Sequence, residues 1–431
     1  MRVTLIVIIG VAAGRLAMIG FMTPDVTRRA TLAAMAAGVA SAALPSASAA
    51  QATEPHHSTA APQPAAWALP GAEAATEGDP EADAVIDELV RGDQMVVANQ
   101  VFHAWTRNDQ PVPAQAPAVL RDFLQRNATL TAQERATVER LAGGDTIKLI
   151  QSNMEVFTMA EAFGGLFAAL ADPLLAKSVW GAQFDLVMDI GRRFSRTMNT
   201  MWDMLGTTSW APSGNALITL VKLRLVHAAA RHVALSHGWD RSRDGMPISQ
   251  RLKVEELMYV GAYNIQLGAK YDVRPTPRQA DELMATMRIG GRLLGISDRY
   301  NPQTMEQANQ VLADAAVNHR AASEEGVKLA HNMLDWMDRK FFPGAGALGA
   351  SMVRMMDAHV ADVLKIPANP PLDKSVATLT PYIFRPAYEV QQKFPLLAST
   401  HAQMFKIASG IVAWYAVDFR DYDLQMPTGR R

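Results

Sequence analysis

From Asp79 onward, apolar residues recur at helical rather than strand spacing. Val85, Ile86, Leu89 and Val90 open the pattern behind Asp79-Pro80, where aspartate caps a helix and proline fits its first turn. Thr131-x-x-Glu134 is a capping box, Asp172-Pro173 and Asn301-Pro302 are cap-plus-proline starts, and Thr276-Pro277-Arg278-Gln279 combines both signals. Between these starts the periodicity predicts long helices over 147–170, 215–237, 251–268, 280–294 and 324–341, with Gly238 as a C-terminal stop. No stretch sustains period-two alternation, so the expected fold class is all-α. The runs GGLFAALA (164–171) and NALITLVKLRLVHAAA (215–230) are apolar around most of their circumference and should be central helices. The glycines of GAGALG (344–349) match a dinucleotide-loop pattern, but a helix precedes them instead of a strand, so a helix–helix turn is expected.

The N-terminus reads as an address. MTPDVTRRATLAAMAAGVASAALPSASAA (22–50) runs from the pair Arg28-Arg29 through an Ala-rich segment to Ala47-Ser48-Ala49, the layout of a twin-arginine export signal with its cleavage site. This makes 1–49 a targeting segment with Met22 as the expected true start, and places the mature protein in the periplasm or outside the cell. The alternative is a membrane anchor over the first 21 residues, tethering the protein to the inner membrane. Residues 50–79 are rich in Pro, Ala and small polar residues and read as a disordered linker, in which His56-His57 are solvent-exposed. Residues 80–425 are then a single helical domain.

Composition narrows the chemistry. Of 431 residues, 49% are hydrophobic and 19% charged, enough to bury a cofactor. The 41 basic and 42 acidic residues mix along the chain, which leaves no footprint for nucleic acid. There is no cysteine, which excludes disulfides, thiolate nucleophiles, iron–sulfur clusters, thiolate-ligated haem and c-type attachment. Any haem must be non-covalent, with His, Met, Tyr or Lys as ligand.

Two segments concentrate candidate groups. In IGRRFSRTMNTMWDML (190–205), Arg193, Arg196 and Thr197 fall at i, i+3 and i+4, on one helical face. In VKLRLVHAAARH (221–232), Arg224, His227 and Arg231 share a face, and small residues follow His227. The spacing admits two readings: ion-paired arginines with a core histidine, or a proximal haem ligand with arginines for the propionates. Spacing alone does not choose between them.

These segments, in this order and thirty residues apart, resemble the two-part signature of the latex-clearing protein and mycophenolic acid pathway oxygenase family. Gly245-Met-Pro247-Ile-Ser249-Gln250 and Gly290-Gly-Arg292-Leu-Leu-Gly295-Ile are similar to further family motifs. The resemblance implies a globin-like helical core around haem b, with His227 as iron ligand and Arg193, Arg196 and Thr197 as distal polar residues. It also implies O2-dependent cleavage of an isoprenoid double bond. Two departures stand out. Arg196 takes the place of a lysine in rubber-cleaving members, and an arginine stays protonated and cannot ligate iron. Where those members carry a glutamate, an ungapped count reaches Lys177, with Asp172 and Asp185 as the nearest carboxylates. The leading expectation is a haem b oxygenase on an apolar alkene, with a channel along Met154, Phe157, Met201 and Leu205. The alternatives are another haem oxidase, peroxidase or monooxygenase with a smaller substrate, and a non-catalytic haem or O2 carrier.

Overall fold

The computed structural model describes residues 67–181, 190–206, 208–380 and 424–427. The export signal, His56-His57 and Asp185 lie outside these residues. The described residues form helices and turns with no strand among them, as the apolar periodicity requires. In chain order the principal helices are α1 (Pro80–Arg91), α2 (Met95–Ala104), α3 (Ala118–Asn127), α4 (Ala132–Gly143), α5 (Asp145–Ser152), α6 (Met154–Ala160), α7 (Leu166–Leu170), α8 (Pro173–Gly181), α9 (Ile190–Leu205) and α10 (Ala216–Ser236). They continue as α11 (Gln250–Met258), α12 (Asn264–Gly268), α13 (Pro277–Leu293), α14 (Met305–Asp314), α15 (Glu324–Lys340), α16 (Ala345–Met356) and α17 (Ala358–Val363). No single helix among the described residues is long and apolar enough to cross a bilayer.

The start signals act where the sequence places them. Asp79 accepts from the Ala82 amide, both capping boxes form at Thr131 and Thr276, and Asp172 Oδ1 accepts from Leu174 and Leu175. Gly238 follows α10 at φ +87°, and Gly344 opens α16 from a left-handed turn; of the expected helix–helix turn only Gly344 lies in the connection, since Gly346 and Gly349 fall inside α16.

Two expectations fail. Residues 67–79 are not a linker: Ala68 N donates to Arg299 O, Ala72–Thr76 form a one-turn helix, and Arg299 pairs with Glu73 and Glu77. Local composition does not register partners that lie over 200 residues away. Asn301 does not cap a helix either; its Nδ2 donates to Arg288 O, and the next helix starts beyond Thr304, whose side chain accepts from Gln307 N.

The expected helix over 147–170 is interrupted at Asn153 and widened by a π-helical turn, Glu161–Gly165; α11 and α12 are joined by another, Tyr259–Tyr263. These wide turns pack against each other near the middle of the molecule. π-turns of this kind interrupt α-helices mostly at functional sites.

α10 is the central helix: Leu220, Val221 and Leu225 have no accessible surface. It packs along α1, α9, α13 and α8, and so presents different faces to different neighbours. At the far end of the chain, Met426 exchanges two backbone hydrogen bonds with the Asn99 side chain, which returns the C-terminal segment to α2.

Candidate functional site

Of the three polar residues that share a face of α10, two serve the fold. Arg224 donates from Nε to Asp79 Oδ2 (2.7 Å) and from Nη2 to Asp79 Oδ1 (2.8 Å), and it also reaches Glu81 and Asn127. Arg231 donates to Asp83 (2.9 Å) and to Ile248 O (2.7 Å). Both guanidinium groups therefore anchor α1 to α10 as ion pairs, one of the two readings the spacing admitted, and are not free to serve as the expected cofactor contacts. The similar-looking motifs downstream complete this buried polar layer. Gln250 Nε2 donates to Gly78 O and Gly295 O, its Oε1 accepts from Ser297 N, and Lys253 Nζ donates to Gly295 O at 2.7 Å.

His227 lies between the two arginines along α10 but joins neither pair. Its Nδ1 is buried with no hydrogen-bond partner among the described residues. Burial first, then the positive charges of Lys253, Arg231 and Arg193, push its pKa down to about 3, against a weaker opposing pull from Asp79. The ring is a neutral imidazole at any physiological pH, the form that ligates a metal. It keeps some accessible surface although it lies deep in the core, so it borders internal space.

Across the α9–α10 contact stands Arg193. Burial holds its pKa below the ordinary arginine value, opposed by the charge of Glu256. Arg196 and Thr197 follow one turn on, both half-buried. The structure thus brings Arg193 to His227, with Arg196 and Thr197 on the same helix.

Arg193 also forms one wall of a small, partly open apolar cavity, whose other walls include Leu166, Leu170, Val179, Phe194, Leu329 and Met333. The expected channel residues Met154, Phe157, Met201 and Leu205 are closed core positions instead, at most 6% exposed. Apolar side chains facing a cavity and those facing a core have the same sequence signature.

Sequence reasoning missed two carboxylates here. Glu256 is raised above the usual carboxylate range by burial, with Arg193 opposing. Glu161, on the first π-turn and 2% exposed, is pushed up to about 7 by burial against the hydrogen bond it accepts from Asn264 Nδ2 at 2.8 Å; the Glu256 charge adds to the rise. The lone acid within MAEAFGGLFAAL and the acid pair within the otherwise apolar VEELMYV are the signal that would have found them. Lys177 faces elsewhere: it pairs with Asp244 and lies 4.9 Å over the Trp239 ring. Asp172 is engaged with Arg251 and the start of α8.

Asp172, Glu255 and His319 bring ligand atoms within 4.8 Å of one another, the donor set of a small metal centre. Arg251 Nη1, however, lies 3.0 Å from Asp172 Oδ2 and 2.8 Å from Glu255 Oε1, so a guanidinium already takes the position of the cation. His319 Nδ1 is 2.7 Å from Glu255 Oε1, and this contact raises its pKa despite burial. A histidine whose folded pKa is raised contributes stability that is full below its unfolded pKa, about 6.5. That contribution is lost as the pH rises through the folded value. The melting-temperature gap between parent and His319→Gln should therefore be widest near pH 6 and narrow toward pH 8; a gap independent of pH would refute the pairing.

The fold and site define a helical protein centred on a neutral buried histidine, with an apolar cavity nearby. The chain belongs to the family described as ER-bound oxygenase mpaB/B'/Rubber oxygenase, catalytic domain, whose model matches residues 151–385. It is accordingly an oxidoreductase of the oxygenase class. It is 25% identical over 313 residues to a rubber oxygenase of Streptomyces sp. (strain K30), covering 71% of this chain and 74% of that protein. Its fold matches a structure of latex clearing protein LCP in the closed state with a TM-score of 0.66 and 22% identity, over 79% of this chain and 91% of the other.

Proposed function

We propose that the chain is an exported oxygenase that holds haem b non-covalently through His227 and cleaves an isoprenoid carbon–carbon double bond with O2. The observation that carries this reading is the imidazole itself: buried, neutral, without a partner at Nδ1, and bordering internal space. A structural histidine in a core is ordinarily hydrogen-bonded, and an orphaned nitrogen there calls for a ligand or a function. These residues fit haem, which would supply the iron at which dioxygen chemistry is performed.

The reaction balances without added electrons or protons: one C=C bond and one O2 give two C=O bonds, an aldehyde end and a ketone end. The chain therefore has to position, stabilise charge and exclude water. Arg193, protonated and half-buried beside His227, supplies a fixed positive charge and N–H donors toward negative charge that develops on oxygen. Thr197 and Arg196 add donors from the same helix. The leucine, valine and methionine walls of the cavity suit an alkene, and among the described residues Arg193 is the one polar side chain that lines it. The rubber oxygenase relative supports a long isoprenoid substrate over a small one.

The absorption spectrum of the full chain, oxidised and dithionite-reduced, tests this directly. A Soret band is expected in the parent and should be lost or displaced in His227→Ala. Absence of haem from the parent after reconstitution would overturn the reading. With haem bound, appearance of carbonyl ends from a polyisoprene under O2 separates an oxygenase from a carrier.

A further inference from the structure

A third π-helical turn, Ala315–His319, ends α14 and carries a histidine to a buried network apart from the His227 site. The His319 side chain is 21% exposed, so bulk solvent reaches it. Its Nδ1 lies 2.7 Å from Glu255 Oε1 of α11, and its Nε2 lies 3.8 Å from Asp314 Oδ2 of α14. Arg251, one turn before Glu255, links the same Glu255 oxygen (2.8 Å) to Asp172 Oδ2 (3.0 Å) at the start of α8. The guanidinium is the fixed cation of this cluster, which is a network of ion pairs running from α14 through α11 to α8. Two neighbours stay outside it. Arg320 is committed to Asp357 at 2.9 Å, and burial keeps the Tyr259 phenol protonated.

Three walls of the apolar cavity meet beside this network. Leu166 and Leu170 come from α7, Val179 from α8, and Leu329 and Met333 from α15. The corner between α7 and α8 is held twice: Arg251 grips Asp172, and Ala321 N, two residues beyond His319, donates to Ala171 O at 3.0 Å. α15 starts against the same corner, so closely that a Cβ on Gly326 would fall on Leu170 O, well inside van der Waals contact. The connection from His319 to α15 is therefore laid along the corner from which α7 and α8 diverge. Whatever fixes His319 fixes the spacing of those walls.

We propose that His319 is a pH-operated clasp on the cavity, closed while the His319–Glu255 pair holds a proton and loosened when the pair gives it up. That the cavity takes the alkene rests on the function proposed above; the clasp itself does not. With the proton in place, the cations at His319 and Arg251 balance Asp172 and Glu255, while Asp314, a quarter exposed, keeps its contact with water. Once the proton leaves, two carboxylates whose side chains are 1% and 3% exposed share one guanidinium, and a net negative charge remains where solvent hardly reaches. Glu255 raises His319, and burial raises Glu255, so both groups shift in the same direction. The clasp is thus complete below the ordinary histidine value of about 6.5 and is lost as the pH rises through the folded one. His319 acts through the walls and is a positioning residue, felt in KM rather than kcat.

Amide hydrogen exchange of the full chain at pH 6 and pH 8, corrected for the pH dependence of the chemical step, reads the clasp without haem or substrate. In the parent, protection of the Ala321 amide and of the first turn of α15 should fall several-fold between the two, and by no more than about tenfold per pH unit, the limit for one proton. In His319→Gln it should be low and equal at both. Unchanged protection in the parent overturns the proposal, as does a fall of the parent's size in the variant. Should His319→Gln fail to fold, the parent's pH dependence decides alone. With haem loaded, the parent's KM for polyisoprene should rise over the same interval at constant kcat; a KM indifferent to pH while exchange responds overturns the link to the cavity. A chain that takes up no haem removes the proposed function and leaves the exchange result to decide the clasp, so the two readings fail separately.

Discussion

Gly295→Ala is expected to destabilise the protein by about 3–5 kcal/mol, the cost of breaking a buried ion pair together with strained backbone. Gly295 has φ +75°, and a Cβ built on it falls on Asp79 Oδ2 and Arg224 Nε, well inside van der Waals contact, and 3.0 Å from Arg224 Cδ. Neither partner has room to yield, because Arg224 also holds Glu81 and Asn127, and Asp79 also caps α1. The same glycine's carbonyl accepts from Lys253 and Gln250. Gly238→Ala is the matched control: its φ is +87°, but nothing lies within 4 Å of the added methyl, so only the backbone cost of about 1–2 kcal/mol remains. Urea denaturation of both variants measures the difference. Equal losses would mean that the polar layer tolerates displacement and does not lock α1 onto α10.

That layer explains which parts of the molecule the sequence disclosed. The all-α class was legible because caps and apolar periodicity are local: Asp79, Thr131, Asp172 and Thr276 each bond within a few residues of themselves. The π-turns were not, since one extra residue in a wide turn leaves the apolar spacing of MAEAFGGLFAAL and MYVGAYNIQLG nearly unchanged. The pair Arg193 and His227 was visible as a motif, and the structure brings them together. Arg224 and Arg231 carried the same same-face signature and yet serve the fold, because what distinguishes a cofactor-facing arginine from an ion-paired one lies almost 150 residues away, in Asp79 and Asp83. Helical spacing reports which residues share a face. It is silent on what that face meets.

The geometry also relates the two arginine layers to one another. α10 carries His227 between an outer layer, where carboxylates of α1 neutralise Arg224 and Arg231, and an inner one, where Arg193 meets Glu256 from α11. α11 contributes to both: Lys253 points to the outer layer, and Glu256, three residues on, to the inner. A change that shifts α11 therefore reaches both sides of the imidazole.

Glu161→Gln is expected to stabilise the protein at pH 8 by about 3 kcal/mol while leaving it nearly unchanged at pH 4.5. Burial pushes Glu161 up to about 7, from an ordinary value of 4.5. The folded state thus holds this proton more tightly than the unfolded chain. The resulting stabilisation is complete below pH 4.5 and is lost as the pH rises through about 7, and a 2.5-unit difference at about 1.4 kcal/mol per unit gives the magnitude. Above pH 7 the parent must either bury an anion or unfold more readily; the amide is neutral throughout. Glutamine also suits the hydrogen-bonding pattern. Asn264 Nδ2 donates to Glu161 Oε2 and to Val260 O, but Asn264 Oδ1 is buried without a partner, an acceptor for the N–H of glutamine or the O–H of the protonated acid. Denaturant unfolding at pH 4.5, 6, 7 and 8 should give curves that coincide in acid and separate through neutrality. Parallel curves would show that Glu161 is ionised in the folded state, and that the closed space between the two π-turns admits enough water to solvate a carboxylate.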